Sequence, residues 1–190
     1  MKPDVNQLAR VLKCAPADIE AAWVVGSRVY GCAGSRSDWD VVVVKRGVAR
    51  QDLVFRPGLN VIVHGRDSFL ESMKQHSMLA LECWYSPDVL VPFLIRYTFR
   101  PDAGRLRTRA LETAAADWAK GVKLWAEDPE KARKKLYHAI RVLMFARQLS
   151  EQGRIVDFSE ANGVWEAARD SEDAILELTP RWEAARAALE

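Results

Sequence analysis

Apolar residues gather in three short runs within the first hundred positions, each closed by a turn signal. "AAWVVGS" (21–27) ends in Gly-Ser, "DWDVVVV" (38–44) opens on two acids, and "LNVIVHG" (59–65) follows Arg56-Pro57-Gly58. Runs of this length, rich in valine and bounded by glycine or proline, predict buried strands. Ahead of them, "QLARVLKCA" followed by "PADIEAA" predicts a short N-terminal helix broken at Pro16. Ser68 and Glu71 have the spacing of a capping box, so "SFLESMKQHS" predicts a helix starting at residue 68. "MLALECWYS" predicts a further short helix before Pro87.

From about residue 103 the period changes. "RLRTRALETAAADWAKGVKLWAED" repeats helically with no strand signal. Asp128-Pro129 reads as an N-cap with proline at N1, opening a helix that runs to about Gly153. "VWEAARD" and "DAILELTPRWEAARAALE" supply one or two more. The expectation is an α+β chain: a core over 1–100 with a small sheet, and a helical region over 101–190 packed on it.

Composition changes this picture little. The 190 residues are about half apolar and about a quarter charged, as in an ordinary globular domain. No apolar run approaches the ~20 residues a membrane helix needs, and "MKPDVNQLAR" holds no signal-peptide core. Cys14, Cys32 and Cys83 form neither a zinc pattern nor a disulfide framework, so a reducing, cytoplasmic setting is expected.

Charge changes it more. Net charge is +2, yet five arginines (96, 100, 105, 107, 109) share their stretch with one acid, Asp102. Lys131 to Arg147 holds six basic residues and no acid, and the balance reverses after Glu151. Such a distribution suits an anionic ligand, or segments facing each other, or solvated helix faces.

Candidate chemistry concentrates in "WVVGSRVYGCAGSRSDWDVVVV" (23–44). Asp38 and Asp40 are i and i+2 on a strand and share a face, with Trp39 on the other. Valines 41–44 then read as strand buried on both sides. Two adjacent carboxylates repel unless a cation lies between them, and an oxygen-rich site suits Mg²⁺ or Mn²⁺. At Gly26-Ser27 the preceding strand ends. A short helix starting there aims the N–H groups of Ser27 and Arg28 outward as an anion site, and glycine admits a phosphate to the backbone. A phosphate cradle about twelve residues before a metal-binding acid pair suggests transfer of a phosphorus-containing group.

Gly26-Ser27-Arg28, Tyr30-Gly31 and Ser37-Asp38-Trp39-Asp40 resemble the signature of the DNA-polymerase-β-like nucleotidyltransferase superfamily. The form GSRxYG…SDxD is most similar to a bacterial and phage branch that includes polymerase-β-like proteins associated with RNA ligase and RNA repair. "ALECWYSP" (80–87) and "LYHAIRVLMFARQLSEQGRIVDFSEAN" (136–162) resemble later blocks of that branch. The resemblance implies a mixed, twisted sheet with helices on one side. It implies attack of an acceptor hydroxyl on the α-phosphate of a nucleoside triphosphate, with Asp38 and Asp40 on metal and Gly26, Ser27, Arg28 and Ser37 at the nucleotide. RNA is one acceptor it suggests.

In that family a third carboxylate usually stands on the next strand; the matching position here is Asn60. Three readings stay open: two carboxylates suffice with a water, Glu82 substitutes, or the fold binds a nucleotide without turning it over. Lys134, His138 and Arg141 stack at i, i+4 and i+7 of a largely apolar helix. They are candidates for phosphate or acceptor contacts, or members of an internal ion-pair network with the acidic C-terminal helices. Tyr30 is a further candidate ligand contact. Trp39, Trp84 and Trp125 fit either base stacking or a core.

Overall fold

A computed structural model describes residues 1–95 and 97–190. Contacts divide it into two compact units, Met1–Arg100 and Pro101–Glu190. The architecture is mixed α+β, with a five-stranded sheet and eight α-helices among the described residues. None of those helices is long and apolar enough to cross a membrane.

In the first unit, helix α1 (Val5–Leu12) is capped by the Asp4 carboxylate on Gln7 N–H and ends at Lys13 in the left-handed region. The predicted helical continuation over "PADIEAA" is only a 3₁₀ turn, Pro16–Asp18. Strand β1 already runs over Ile19–Val25, because Ile19, Ala21 and Ala22 face the core rather than one side of a helix. The short helix α2 (Ser27–Tyr30) follows, then β2 (Trp39–Lys45), β3 (Asp52–Arg56) and β4 (Leu59–His64). Helices α3 (Arg66–Lys74) and α4 (Met78–Tyr85) and the short β5 (Val89–Val91) complete the unit. α3 starts two residues before the predicted Ser68. The Ser68 hydroxyl donates to the Gly65 carbonyl, and Gly65 is the N-cap.

The sheet order is β3-β4-β2-β1-β5. β1 and β2 pair antiparallel, β2 and β4 parallel, and β3 and β4 form a hairpin around Pro57-Gly58. Side chains alternate between faces, and both faces are covered. Leu8 and Ala9 of α1 pack with Ala22, Val41, Val43, Val61 and Val63. On the opposite face Phe69 of α3 stacks on Trp23 at 5.1 Å and meets His64 edge-on. The expectation of helices on one side is therefore corrected. Val41–Val44 are all fully buried, and a strand with no solvent face needs a cover on each side.

The second unit is helical: α5 (Ala103–Leu124), α6 (Pro129–Gln152), α7 (Asn162–Asp170) and α8 (Ala174–Ala187). Asp128 caps α6 through Lys131 N–H with Pro129 at N1, and Gly153 ends the helix in the left-handed region. α5 and α6 approach closely at Gly121, where an added Cβ would lie 2.8 Å from Leu136. Trp118 of α5 stacks on Trp182 of α8 at 4.8 Å. Arg133 reaches the carbonyls of Ala168 and Ser171, closing the C-terminal end of α7. Buried Gln148 donates to Asp157 O and Glu160 while accepting from the N–H groups of Val156 and Asp157, pinning the 153–161 turn to α6.

Candidate active site

One end of the sheet gathers the predicted acid pair. β2 begins at Trp39, so Asp38 stands just before the strand and Asp40 is its second residue. In register, Asp40 lies between Val25 of β1 and Asn60 of β4. The Asn60 amide closes the group: Nδ2 is 2.9 Å from Asp40 Oδ1 and 3.5 Å from Asp38 Oδ2. The two carboxylates and Asn60 therefore share a face, with Asp38 exposed and Asp40 half-buried. Burial raises the Asp40 carboxyl above its ordinary value, against the pull of the Asn60 hydrogen bond; the Asp38 charge adds to the rise and Arg28 opposes it.

Gly26 completes the arrangement. Its backbone sits at φ +77°, ψ −160°, a region essentially reserved for glycine. A Cβ built there would lie 2.6 Å from Asp40 Oδ2, so the carboxylate packs directly against the turn. The Gly26 carbonyl accepts from Val29 and Tyr30 N–H. The N–H groups of Ser27 and Arg28 open α2, where first-turn donors have no acceptor within the helix.

The remaining candidates separate. Arg28 donates through Nε to Asp38 O at 3.2 Å and through Nη2 to Ser37 O, and its guanidinium lies 4.2 Å over the Trp39 ring. It ties the 32–38 loop to α2, so its side chain clamps the loop carrying Asp38. The Ser37 hydroxyl is likewise engaged, accepting from Gly34 N–H in a tight turn. Tyr30 is 4% exposed and its phenol donates to Glu82, itself 3% exposed. Tyr30 is thus buried in the core, and its phenol is one partner of Glu82. Asn60 is hydrogen-bonded to both aspartates.

The polar stripe of the second unit divides among different partners. Lys134 is exposed and pairs with Glu130 on its own helix at 2.6 Å. His138 Nδ1 lies 2.5 Å from Asp117 of α5, which also takes Lys135 at 2.7 Å. Arg141 is buried over the rings of Tyr137 and Phe145. His138 thus pairs with Asp117 of α5, and Lys134 with Glu130 of its own helix. Burial pushes the Asp117 carboxyl up, but hydrogen bonds from His138 and Lys135 outweigh it and bring it to about 2. Of the arginine-rich stretch, Arg96 lies outside the described residues; Arg105, Arg107 and Arg109 are exposed on α5.

Trp84 meets Tyr97 edge-on and Trp125 lies under Arg133. Phe55, which the sequence reading passed over, pairs in register with Asn60 and is 64% exposed on the carboxylate face. The Pro57-Gly58 turn was the signal that could have found it, since a two-residue hairpin loop fixes which residues oppose each other.

Among the described residues no three of His, Cys, Asp and Glu gather as a metal cluster. The donor set is two carboxylates and one amide. Turned about its Cγ, that amide offers Oδ1 in place of Nδ2, and three hard oxygens then converge. This fits Mg²⁺ or Mn²⁺, which complete their shells with water and substrate oxygens. No protein-family model matches the chain, and no curated protein matches it.

Proposed function

We propose that the chain is a metal-dependent nucleotidyltransferase that moves a nucleoside monophosphate from a nucleoside triphosphate to a hydroxyl acceptor: an RNA end, a protein side chain or a small molecule. The observation that carries this reading is the seating of the Asp40 carboxylate against Gly26. It brings cation-binding oxygens and the anion-binding N–H groups of Ser27 and Arg28 to one sheet end. The resemblance of the 26–40 block to polymerase-β-like nucleotidyltransferases supports it further, including the fold that resemblance implies.

Asp38, Asp40 and the Asn60 oxygen would hold Mg²⁺ or Mn²⁺, which when bound supplies Lewis-acid polarisation of phosphate oxygens. Gly26 leaves room for the triphosphate, and Ser27 offers it a hydroxyl and an N–H. Arg28 fixes the loop that carries Asp38. The acceptor oxygen forms a bond to the α-phosphorus as the bond to pyrophosphate breaks. Asn60 is neutral and takes no proton, so the acceptor's proton leaves to water at the exposed Asp38 mouth. The wide spacing of Cys14, Cys32 and Cys83, with no disulfide framework in their pattern, supports a cytoplasmic setting.

One observation favours a second reading. The Asn60 amide already bridges both carboxylates, which would steady a site that binds a nucleotide or partner without chemistry. The test is incubation with each α-labelled nucleoside triphosphate, Mg²⁺ or Mn²⁺ and total RNA, beside the Asp38→Ala/Asp40→Ala double variant. Label in RNA, protein or a small product that vanishes in the variant supports transfer and names the acceptor. No label with any nucleotide, alongside measurable nucleotide binding, establishes the second reading.

A further inference from the structure

We propose that the free edge of β3 receives the acceptor, and that the acceptor is a single strand of nucleic acid, its terminal base stacked on Phe55 and its phosphates on Arg10, Lys13 and Arg56. The assignment rests on the transferase reading for the meaning of "acceptor", but the surface itself is argued independently.

Register sets a row across four strands: Phe55, Asn60, Asp40, Val25. In the transferase reading the Gly26 turn, which follows Val25, takes the triphosphate, so the donor side of the acid pair is the β1 side. What remains for the acceptor is the β4–β3 side. There Phe55 is 64% exposed and Leu53, two residues away on the same face, 51%. A large ring left in water on an edge strand has no packing reason to be there. Phe55 lies two strand spacings from Asp40, about 10 Å, the scale of one nucleoside unit.

The other face of the same edge is cationic. Arg10 and Lys13 at the end of α1 and Arg56 of β3 line one open groove with Gln7 and Val11. All three cations are exposed, and among the described residues none is joined to a carboxylate. Two acids of the same unit are engaged locally: Asp18 accepts from Ala15 N–H, and Asp52 from Leu53 N–H. Arg56 Nη1 donates to Phe55 O at 2.8 Å, so the cation is fixed beside the aromatic residue. Unpaired cations bordering an exposed ring are what a sequence-tolerant single-strand surface requires: charge for the backbone, a π-face for a base. A protein or small-molecule acceptor would have no need of three cations placed around the rim from the ring.

The test is fluorescence anisotropy of the full chain with a short labelled oligouridylate and its oligothymidylate counterpart, without nucleotide or divalent metal. Expected are binding to both strands and about a tenfold loss in Phe55→Ala, which is about 1.4 kcal/mol and within the range of one stacked base. Phe55→Tyr should retain binding. Arg10→Ala/Lys13→Ala/Arg56→Ala should flatten the dependence of log affinity on log salt by about two units, at ~0.7 per phosphate contact. Failure of the unaltered chain to bind either strand, or unchanged binding in Phe55→Ala and the triple variant, overturns the proposal. So does a dimer in sedimentation that Phe55→Ala dissolves, which would assign the edge to a second copy. Binding that follows expectation in a chain that transfers no label keeps this surface and removes the transferase reading. Transfer to RNA that Phe55→Ala leaves at its original KM removes the surface alone.

Discussion

Replacing Gly26 by alanine tests the link between backbone and site. Two costs are separable. The backbone at φ +77°, ψ −160° lies where side-chain-bearing residues incur about 1–3 kcal/mol. The new methyl would also lie 2.6 Å from Asp40 Oδ2, where contacts under 3.0 Å do not persist. The carboxylate must then retreat from the turn, loosening its 2.9 Å hydrogen bond to Asn60. Gly58 provides the control: it also has positive φ, at +75°, but an alanine there meets nothing within 4 Å. Urea unfolding followed by far-ultraviolet circular dichroism gives the stability cost, and the rise in Tm on adding Mn²⁺ reports the cation site. Gly58→Ala should lose stability through strain and keep the Mn²⁺ response. Gly26→Ala should lose about 1–3 kcal/mol through strain and lose most of the Mn²⁺ response as well. If both variants keep the full Mn²⁺ response, the Asp40–Gly26 contact does not define the site and the reasoning fails.

Two further outcomes follow from the carboxylates. Burial raises the folded Asp40 carboxyl above its unfolded value, so its ionised form opposes folding at neutral pH and the opposition vanishes below the usual carboxylate range. Asp40→Asn should therefore raise Tm at pH 7, converge with the unaltered chain near pH 3, and abolish transfer; an Asp40→Asn Tm below that of the parent at pH 7 contradicts this. Asp117 works the other way. Its carboxyl is held at about 2 against an ordinary 3.8, so its stabilisation is complete above the ordinary value and is lost as pH falls through 2. The shift corresponds to at most ~2.4 kcal/mol, and partial solvent screening brings it to about 1–2 kcal/mol. Asp117→Asn should cost that much in urea unfolding at pH 7 and almost nothing at pH 2, and an equal cost at both pH values would point to packing instead.

The legible parts of this chain are those where one physical cause dominates. Val41–Val44 announce a central strand because four consecutive apolar residues fit no half-exposed element, and the same run should have demanded the second cover that α1 provides. The acid pair was readable because carboxylates next to such a strand are conspicuous. β3 was not: in "DLVFR" the two large apolar side chains, Leu53 and Phe55, face water while only Val54 packs inward, an inversion of the pattern that marks a strand, and β5 has only three residues. For Lys134, His138 and Arg141 two roles stayed open, ligand contacts or an internal ion-pair network, because helical spacing is all a sequence shows. Their partners, Glu130, Asp117 and a pair of aromatic rings, depend on which helix lies alongside. Arg28 was read as a nucleotide contact, and the 37–38 carbonyls that its side chain clamps are ordinary backbone groups that no motif marks.

The position of β2 in the sheet has a consequence for amide hydrogen exchange. Asp40 stands on a strand bonded on both sides, so its backbone is held by two neighbours. Phe55 stands on the outermost strand, with one neighbour and one bare edge, and can peel away while the rest persists. From β2 through β4 to β3 the row passes from backbone bonded on both sides to backbone bonded on one. Phosphorus chemistry would be aligned on the doubly bonded part, and a strand of varying sequence would meet the part that yields.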